Sequence, residues 1–411
     1  MNTDFDVLIV GGGAAGFFTA INAAEADHNL KIAILERGKE VLTKVKVSGG
    51  GRCNVTHAEF IPDDLVKKYP RGEKEMLGPF HRFMTGDTIA WFEERGITLK
   101  TEEDGRMFPV TDSSQTIIDC FLNETKRLGI EVFLQQSVRN IRKRDTEWQL
   151  KTNSDEFSTK KLVIATGSNP KIWKLLKELG HSIVPPVPSL FTFNIKDERI
   201  TELPGVATEA MVRVLDKEGK EILSSEGPLL ITHWGMSGPA ILKLSAWGAR
   251  ILEPMDYNFR ISVHWMPGYD KEDIETEIRK LKLEKARKKV SGTPLKELPK
   301  RLWKNLVRAA GIADSAVWAD INREQIDDLA AELSRGIYQV EGKSTFKEEF
   351  VTAGGVELKE VNFKTFESKL HPGLYFAGEV LNIDAITGGF NFQNAWTGGY
   401  LVSQAITQTN L

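Results

Sequence analysis

The sequence predicts an α/β fold in which a Rossmann-like nucleotide-binding domain is interrupted by an insert, β-rich at first and helical later. Three observations predict it. A strand, glycine turn, helix and second strand open the chain; two further glycine-bounded strands lie at 161–167 and 373–379; and the stretch between them changes to short strands and then amphipathic helices. With 411 residues there is room for two or three domains, each able to bury its own core.

Residues 6–10, DVLIV, have the pattern of a short buried strand. The glycines GGGAAG follow at 11–16, residues 14–26 run as a helix with small residues facing the sheet, and KIAILE at 31–36 gives the second strand. Glu36 stands 20 positions after Gly16, the dinucleotide fingerprint in its proper βαβ context. Gly11 permits the tight turn, Gly13 lets a pyrophosphate approach the backbone, and Gly16 lets helix and strand pack closely. The helix start offers N–H groups and partial positive charge to phosphates, and Glu36 is placed to accept from ribose hydroxyls.

A helical pattern covers 113–128, short β segments follow at 131–135, 137–142 and 148–151, and KLVIATG at 161–167 is another buried strand ending in a turn. The prolines at 185, 186 and 188 break the pattern and read as a domain boundary. Short strands are expected at 191–195, 210–215, 221–224, 229–232 and 259–263, and helices at 271–289, 294–310 and 323–334. Asp270, Thr293 and Asn322 serve as N-caps, Pro294 sits at a first helical position, and Gln325 completes a capping box. The expected organisation is a nucleotide domain over 1–189 and 346–411, with an insert at 190–345, β-rich to 269 and helical from 270. No second GxGxxG follows a strand in mid-chain, so no separate NAD(P) domain is expected.

Apolar residues make up 41% and charged residues 27%, with a net charge of −3, a soluble globular composition without a global pull toward nucleic acid or acidic membrane. The apolar stretch 7–24 follows no Lys or Arg and is broken by three glycines, so neither a signal peptide nor a membrane span is expected. The two cysteines, Cys53 and Cys120, fit a reduced, cytoplasmic compartment. Seven scattered histidines and the absence of a CxxC lead to no expected protein-bound metal. No pattern specifies an oligomeric state.

GGGAAG, SGGGRCN at 48–54, GRMFPV at 105–110, ATG at 165–167, THWGMSGPAIL at 232–242, VTAGGV at 351–356, and GLYFAGE with TGGFNFQNAWTGGY from 373 onward together resemble the BaiN-like, aminoacetone-oxidase-like family of FAD-dependent oxidoreductases. The resemblance runs over nearly the whole chain. It implies a FAD domain of the two-dinucleotide-binding-domain flavoprotein type, with a β-barrel and helical insert. It also implies Gly11, Gly13, Ala15 and Gly16 at the pyrophosphate, Glu36 and Arg37 at the adenosine, and Lys44, Ser48, Gly49, Gly50, Gly51, Arg52 and Cys53 along pyrophosphate and flavin. Thr166 and Gly167 would flank the cofactor, Gly378 and Glu379 would meet the ribityl or pyrophosphate, and Gly389, Phe390, Asn391 and Asn394 would lie at the flavin's pyrimidine end. Helix-start N–H groups after Gly388 and Gly389 suit the negative charge of a reduced flavin.

FAD would carry the hydride chemistry through N5, leaving the protein to position a small organic substrate and manage a proton. His233 is the candidate proton donor, set against the reading of a hydrogen-bonded loop histidine. Cys53 lacks the CxxxxC partner of disulfide reductases and reads as a packing residue, with a flavin-adjacent thiolate as the alternative. Three activities follow: NAD(P)H-linked reduction of an activated C=C or C=O, with NAD(P)H as transient donor; oxidation of an amine or amino ketone by oxygen; and a flavoprotein whose insert binds nucleic acid. The last rests on 13 Lys plus Arg against 6 Asp plus Glu over residues 271–308. Charges interleaved in this way read as a solvated face, so nucleic acid is not an expected partner.

Overall fold

β1 (Asp4–Val10) is buried along most of its length because it is the central strand of a sheet covered on both faces. It runs into the glycine turn, α1 (Ala14–Ala26) returns antiparallel, and β2 (Ile32–Leu35) pairs with β1 in parallel. α2 (Ser114–Arg127) begins where the Ser113 hydroxyl accepts from Gln115 N, and leads to β3 (Glu131–Phe133). β4 (Glu156–Ile164), β5 (Leu374–Phe376) and the terminal α3 (Phe390–Thr407) complete this layer. The five strands lie in the order β3-β2-β1-β4-β5, all parallel. The order reverses between β1 and β4, the place where doubly wound sheets bind ligands outside the carboxyl ends of their strands.

In this computed structural model, which describes residues 3–296, 298–344 and 351–408, the chain divides into two units. One comprises Met1–Val187 with Lys347–Leu411, the other Pro188–Phe346. The expected end of the insert, residue 345, lies outside the described residues.

α1 is apolar nearly all round because it is buried between the sheet and α3. Phe18 meets Trp396 at a ring separation of 5.2 Å, and Gly399 is bare because a Cβ there would stand 3.1 Å from Ala15 O. The long excursion between β2 and α2 carries a small antiparallel sheet formed by Thr56–His57, Leu99–Thr101 and Arg106–Pro109.

Several local expectations need correction. The prolines at 185, 186 and 188 do not break the backbone pattern: they lie in the strand Ile183–Ser189, which among the described residues pairs with Val351–Val356 alone. An edge tolerates residues without an N–H. The helix expected from Pro294 starts instead at Lys300, directly after Pro299. Inside a helix Pro299 would lack a donor and clash with the preceding turn, so a helix begun at Pro294 cannot run through it. Thr293 accordingly closes a short 3-10 turn rather than capping a helix, whereas Asp270 and Asn322 both cap, each through a reciprocal capping box.

The second unit is built on a seven-stranded antiparallel sheet. The segments expected at 221–224 and 229–232 form one strand, Glu221–Thr232, paired along its length with Ala207–Leu215. Its two terminal strands, Gly336–Glu341 and Lys343–Ser344, are separated in the chain by Gly342 alone, so the sheet curls round on itself. The helices Lys271–Glu284, Lys300–Ala309 and Arg323–Arg335 complete its core, where Trp303 stacks on Trp318 and Leu306, Leu329 and Leu333 join Val263 and Tyr338.

Candidate functional site

The carboxyl ends of β1, β2, β4 and β5 bring the glycine motifs together. Gly11 leaves β1 at φ +118°, and a Cβ would lie 2.4 Å from Ala165 O at the end of β4. Gly16 faces the turn itself, 2.1 Å from Gly11 O for an added Cβ. Around Gly13, which caps α1, an added Cβ would meet nothing within 4 Å, so this face of the turn opens outward. The three glycines thus serve three purposes: chirality, open approach and helix packing.

Glu36, at the end of β2, accepts from Gly12 N through Oε2 at 2.9 Å and from Gly38 N through Oε1 at 2.7 Å. Each oxygen keeps acceptor capacity for a further donor such as a ribose hydroxyl. Arg37 beside it is exposed. Gly378, after β5, sits at φ +74° with room for a Cβ only 3.2 Å from that of Ala15. The next residue, Glu379, pairs with Lys44 at 2.5 Å and lies near Gly167, linking the second motif with the ends of β4 and β5. Thr166 precedes Gly167 in that turn, with its hydroxyl 3.4 Å from Gly167 O.

Within SGGGRCN the backbone leaves the helical path at Ser48, Gly49 and Gly50. Gly50 and Gly51 have open space where a Cβ would stand, whereas Gly49 is walled by Phe108 and Asn54. The Arg52 guanidinium pairs with Glu102 and Asp112 and covers the Phe108 ring at 3.9 Å. Its side chain therefore clamps the loop through Nη1. Cys53 is fully buried, with φ +61°, and burial pushes its thiol up to about 12. A neutral packing thiol fits these facts and a thiolate does not.

α3 starts at Gly389, where a Cβ would collide with Thr56 O at 2.6 Å. Asn54, its amide oxygen turned toward Gly389 N at 3.0 Å, takes up that N–H. The Phe390 and Asn391 N–H groups have no partner among the described residues, as helix-start donors do not. The Asn391 carboxamide closes a double hydrogen bond with the Ala385 backbone, so it shapes the preceding loop. Phe390 is buried against His57, with ring centres 4.5 Å apart. Asn394 differs from both. It is fully buried one turn into α3, and neither its Oδ1 nor its Nδ2 has a partner.

His57 is absent from the sequence expectations. Its Nδ1 lies 3.0 Å from Gly388 O, and its ring fills the space that a side chain at Gly105 or Gly388 would need. Burial lowers its pKa, opposed by the Gly388 carbonyl. The signal available in sequence was its place three residues beyond SGGGRCN. A buried network also escaped the sequence reading: Thr56 and Thr88 both donate to Gln393 Oε1, and Gln393 Nε2 donates to Thr397, fixing α3 on this loop.

His233 belongs to the other unit. It is exposed in the turn after Glu221–Thr232 and lines a cavity of about 450 Å³ with Asn194, Lys196, Thr201, Trp234 and Glu341. Among the described residues no group of three His, Cys, Asp or Glu converges as a metal site, and no helix is long and apolar enough to cross a membrane.

A parallel 3-2-1-4-5 sheet, a glycine turn answered by a carboxylate at the end of the second strand, and a glycine-started terminal helix define a Rossmann-type dinucleotide-binding flavoprotein. The HI0933-like protein Rossmann domain family matches residues 5–405. The chain belongs to this family and is an FAD-dependent oxidoreductase. It is 29% identical over 408 residues to the ribosomal RNA dihydrouridine synthase of Escherichia coli (strain K12), covering 97% of each chain. It is 26% identical over 413 residues to the 3-dehydro-bile acid delta(4,6)-reductase of Clostridium scindens, covering 97% of this chain and 98% of that protein. Among solved structures, the 3-ketosteroid-delta4-(5alpha)-dehydrogenase of Rhodococcus jostii RHA1 shares the fold with a TM-score of 0.54 at 11% identity, covering 99% of this chain and 97% of that one.

Proposed function

We propose that the protein is a reductase that saturates a C=C bond conjugated with a carbonyl, and that its substrate is a uracil ring in ribosomal RNA. The observation that carries the cofactor assignment is Asn394, a buried carboxamide with both polar atoms unpartnered beside a helix start. Burying such a group without partners costs about 1–3 kcal/mol, and the polar edge of a flavin would satisfy it. The substrate assignment is supported by the names of two relatives matched nearly end to end. Making dihydrouridine saturates a uracil double bond conjugated with a ring carbonyl. Reducing a delta(4,6) 3-dehydro bile acid saturates bonds conjugated with a ketone.

Bound FAD would supply the hydride through N5. The chain's own residues divide the remaining work. Gly11, Gly13, Ala15 and Gly16 give the pyrophosphate a bare helix start, and Glu36 accepts the adenosine ribose hydroxyls, with Arg37 alongside. Lys44, Ser48, Gly49, Gly50, Gly51 and the backbone of Arg52 and Cys53 edge the flavin and pyrophosphate. Thr166 and Gly167 would flank the cofactor, and Gly378 and Glu379 would meet its ribityl chain or pyrophosphate. The Phe390 and Asn391 N–H groups would suit negative charge on a bound flavin, as helix starts suit anions. NAD(P)H serves as a transient reductant, and His233 delivers the proton.

The test is an anaerobic absorption experiment. NADH or NADPH should bleach an oxidised-flavin band, and unmodified ribosomal RNA should restore it with dihydrouridine formed. Restoration by a steroidal enone and not by RNA would move the substrate to the bile-acid type. A band bleached by an amine and restored by oxygen alone would replace the reductase with an oxidase.

A further inference from the structure

We propose that the exposed cationic run from Lys280 to Lys289, in the second unit, is a docking surface for the phosphate backbone of RNA. The choice of polyanion rests on the RNA reading above. The wider segment interleaves its acids with its bases in sequence, but the structure distributes the ion pairs unevenly. Glu275 takes Lys271 and Arg279, Glu277 takes Lys296, and Asp314 takes Lys304 and Arg308. From Lys280 to Lys289 stand six cations and a single carboxylate, Glu284. Lys282 is spent on the carbonyls of Ala319 and Ile321. Lys280, Lys285, Arg287, Lys288 and Lys289 are exposed and have no ion pair among the described residues.

These five do not hang on a free tail. The helix Lys271–Glu284 ends just before Lys285, and the following backbone is pinned: Ala319 N donates to Ala286 O at 2.9 Å, Trp318 N to Lys288 O at 3.0 Å, and Val290 N to Ala316 O at 3.1 Å. Cations on an ordered backbone lose less entropy when they meet a regular row of phosphates. Leu283, 83% exposed, is the single exposed large apolar side chain in the run. One leucine without aromatic neighbours suits contact with a sugar or base face and falls short of a membrane-inserting face. In a chain of net charge −3, this run is a local exception.

The test uses the full-length flavin-loaded protein and in-vitro-transcribed ribosomal RNA, with binding followed by fluorescence anisotropy over a salt series. Each phosphate contact contributes roughly 0.7–0.9 to the slope of log K against log salt, so K285Q/R287Q/K288Q/K289Q should lower that slope by about 3 and weaken binding at least about tenfold at moderate salt. K217Q/K220Q, a hairpin tip elsewhere in the same unit, should leave binding unchanged. Both variants should keep the flavin band, the melting temperature and the rate of flavin reduction by NAD(P)H. Equal binding by the quadruple variant and wild type would overturn the proposal, as would tighter binding to phosphatidylglycerol vesicles than to RNA. RNA binding that depends on this run, without dihydrouridine formation, would fault the proposed reaction and leave the docking surface standing.

Discussion

His57 Nδ1 and the carbonyl oxygen of Gly388 lie 3.0 Å apart, joining the loop after SGGGRCN to the turn that starts the terminal helix. A carbonyl only accepts, so the ring donates from Nδ1 and is held in that tautomer. Burial keeps its folded pKa below the ordinary value of about 6.5. The unfolded chain therefore takes up the proton first as pH falls, and the stabilisation, complete above about pH 6.5, is lost on acidification below it. His181 and His264 are displaced in the same direction by burial, so the loss should be steep. His57→Asn should flatten the dependence of melting temperature on pH between neutral and acid; an unchanged slope would remove His57 from the linkage.

Glu36 supports its own turn as well as a ribose. Replacing it with Ala removes two charge-assisted hydrogen bonds from Gly12 and Gly38 together with the ribose acceptor. Bonds to charged groups are worth about 1.5–3 kcal/mol each, so FAD should bind the apoprotein on the order of ten- to a hundredfold more weakly, while the fold persists. Titration of apoprotein with FAD, followed by flavin fluorescence, measures this. Undiminished affinity would take Glu36 away from the adenosine.

Asn394 gives a sharper contrast, because its amide costs the apoprotein stability and yields a return only with a partner. Asn394→Leu, similar in volume, should leave the apoprotein as stable or stabilise it by about 1 kcal/mol, yet weaken FAD binding. Urea unfolding of apo and loaded protein separates the two effects. Apoprotein destabilised with FAD affinity intact would mark Asn394 as purely structural.

Cys53, neutral and buried, should resist iodoacetamide in the folded protein under mildly alkaline conditions. Cys53→Ala should retain the flavin and turn over at close to the wild-type rate. Rapid alkylation with loss of turnover would restore a thiolate at this position.

His233→Ala should slow turnover about a hundredfold, the scale of general acid–base catalysis, and leave the flavin spectrum unaltered. Normal turnover would confine His233 to shaping the cavity it lines.

Much of the nucleotide-binding frame was legible because its signals are local. Positive-φ glycine, a βαβ hydrophobic pattern and a carboxylate 20 residues after Gly16 are properties of neighbouring residues, and each enforces its geometry without help from the rest of the chain. Capping at Asp270 and Asn322 was legible for the same reason, since each box closes within four residues. Pro299 was as visible as Pro294, but the start of its helix depended on which proline the chain could carry inside a turn.

The sequence by itself determined the Rossmann-type class, the glycine positions and the acid that answers them, because short-range sterics and hydrogen bonding leave few other conformations. Tertiary structure decided which polar side chains remain unspent. Arg52 and Asn391 carry suitable chemistry but are engaged by Glu102 and Ala385, whereas Asn394 and five of the six cations from Lys280 to Lys289 are left over. It also brought His57 to Gly388, 331 residues away in the chain. A side chain's partner is set by whatever folding brings within about 3 Å of it, and residue type and spacing alone do not encode that distance.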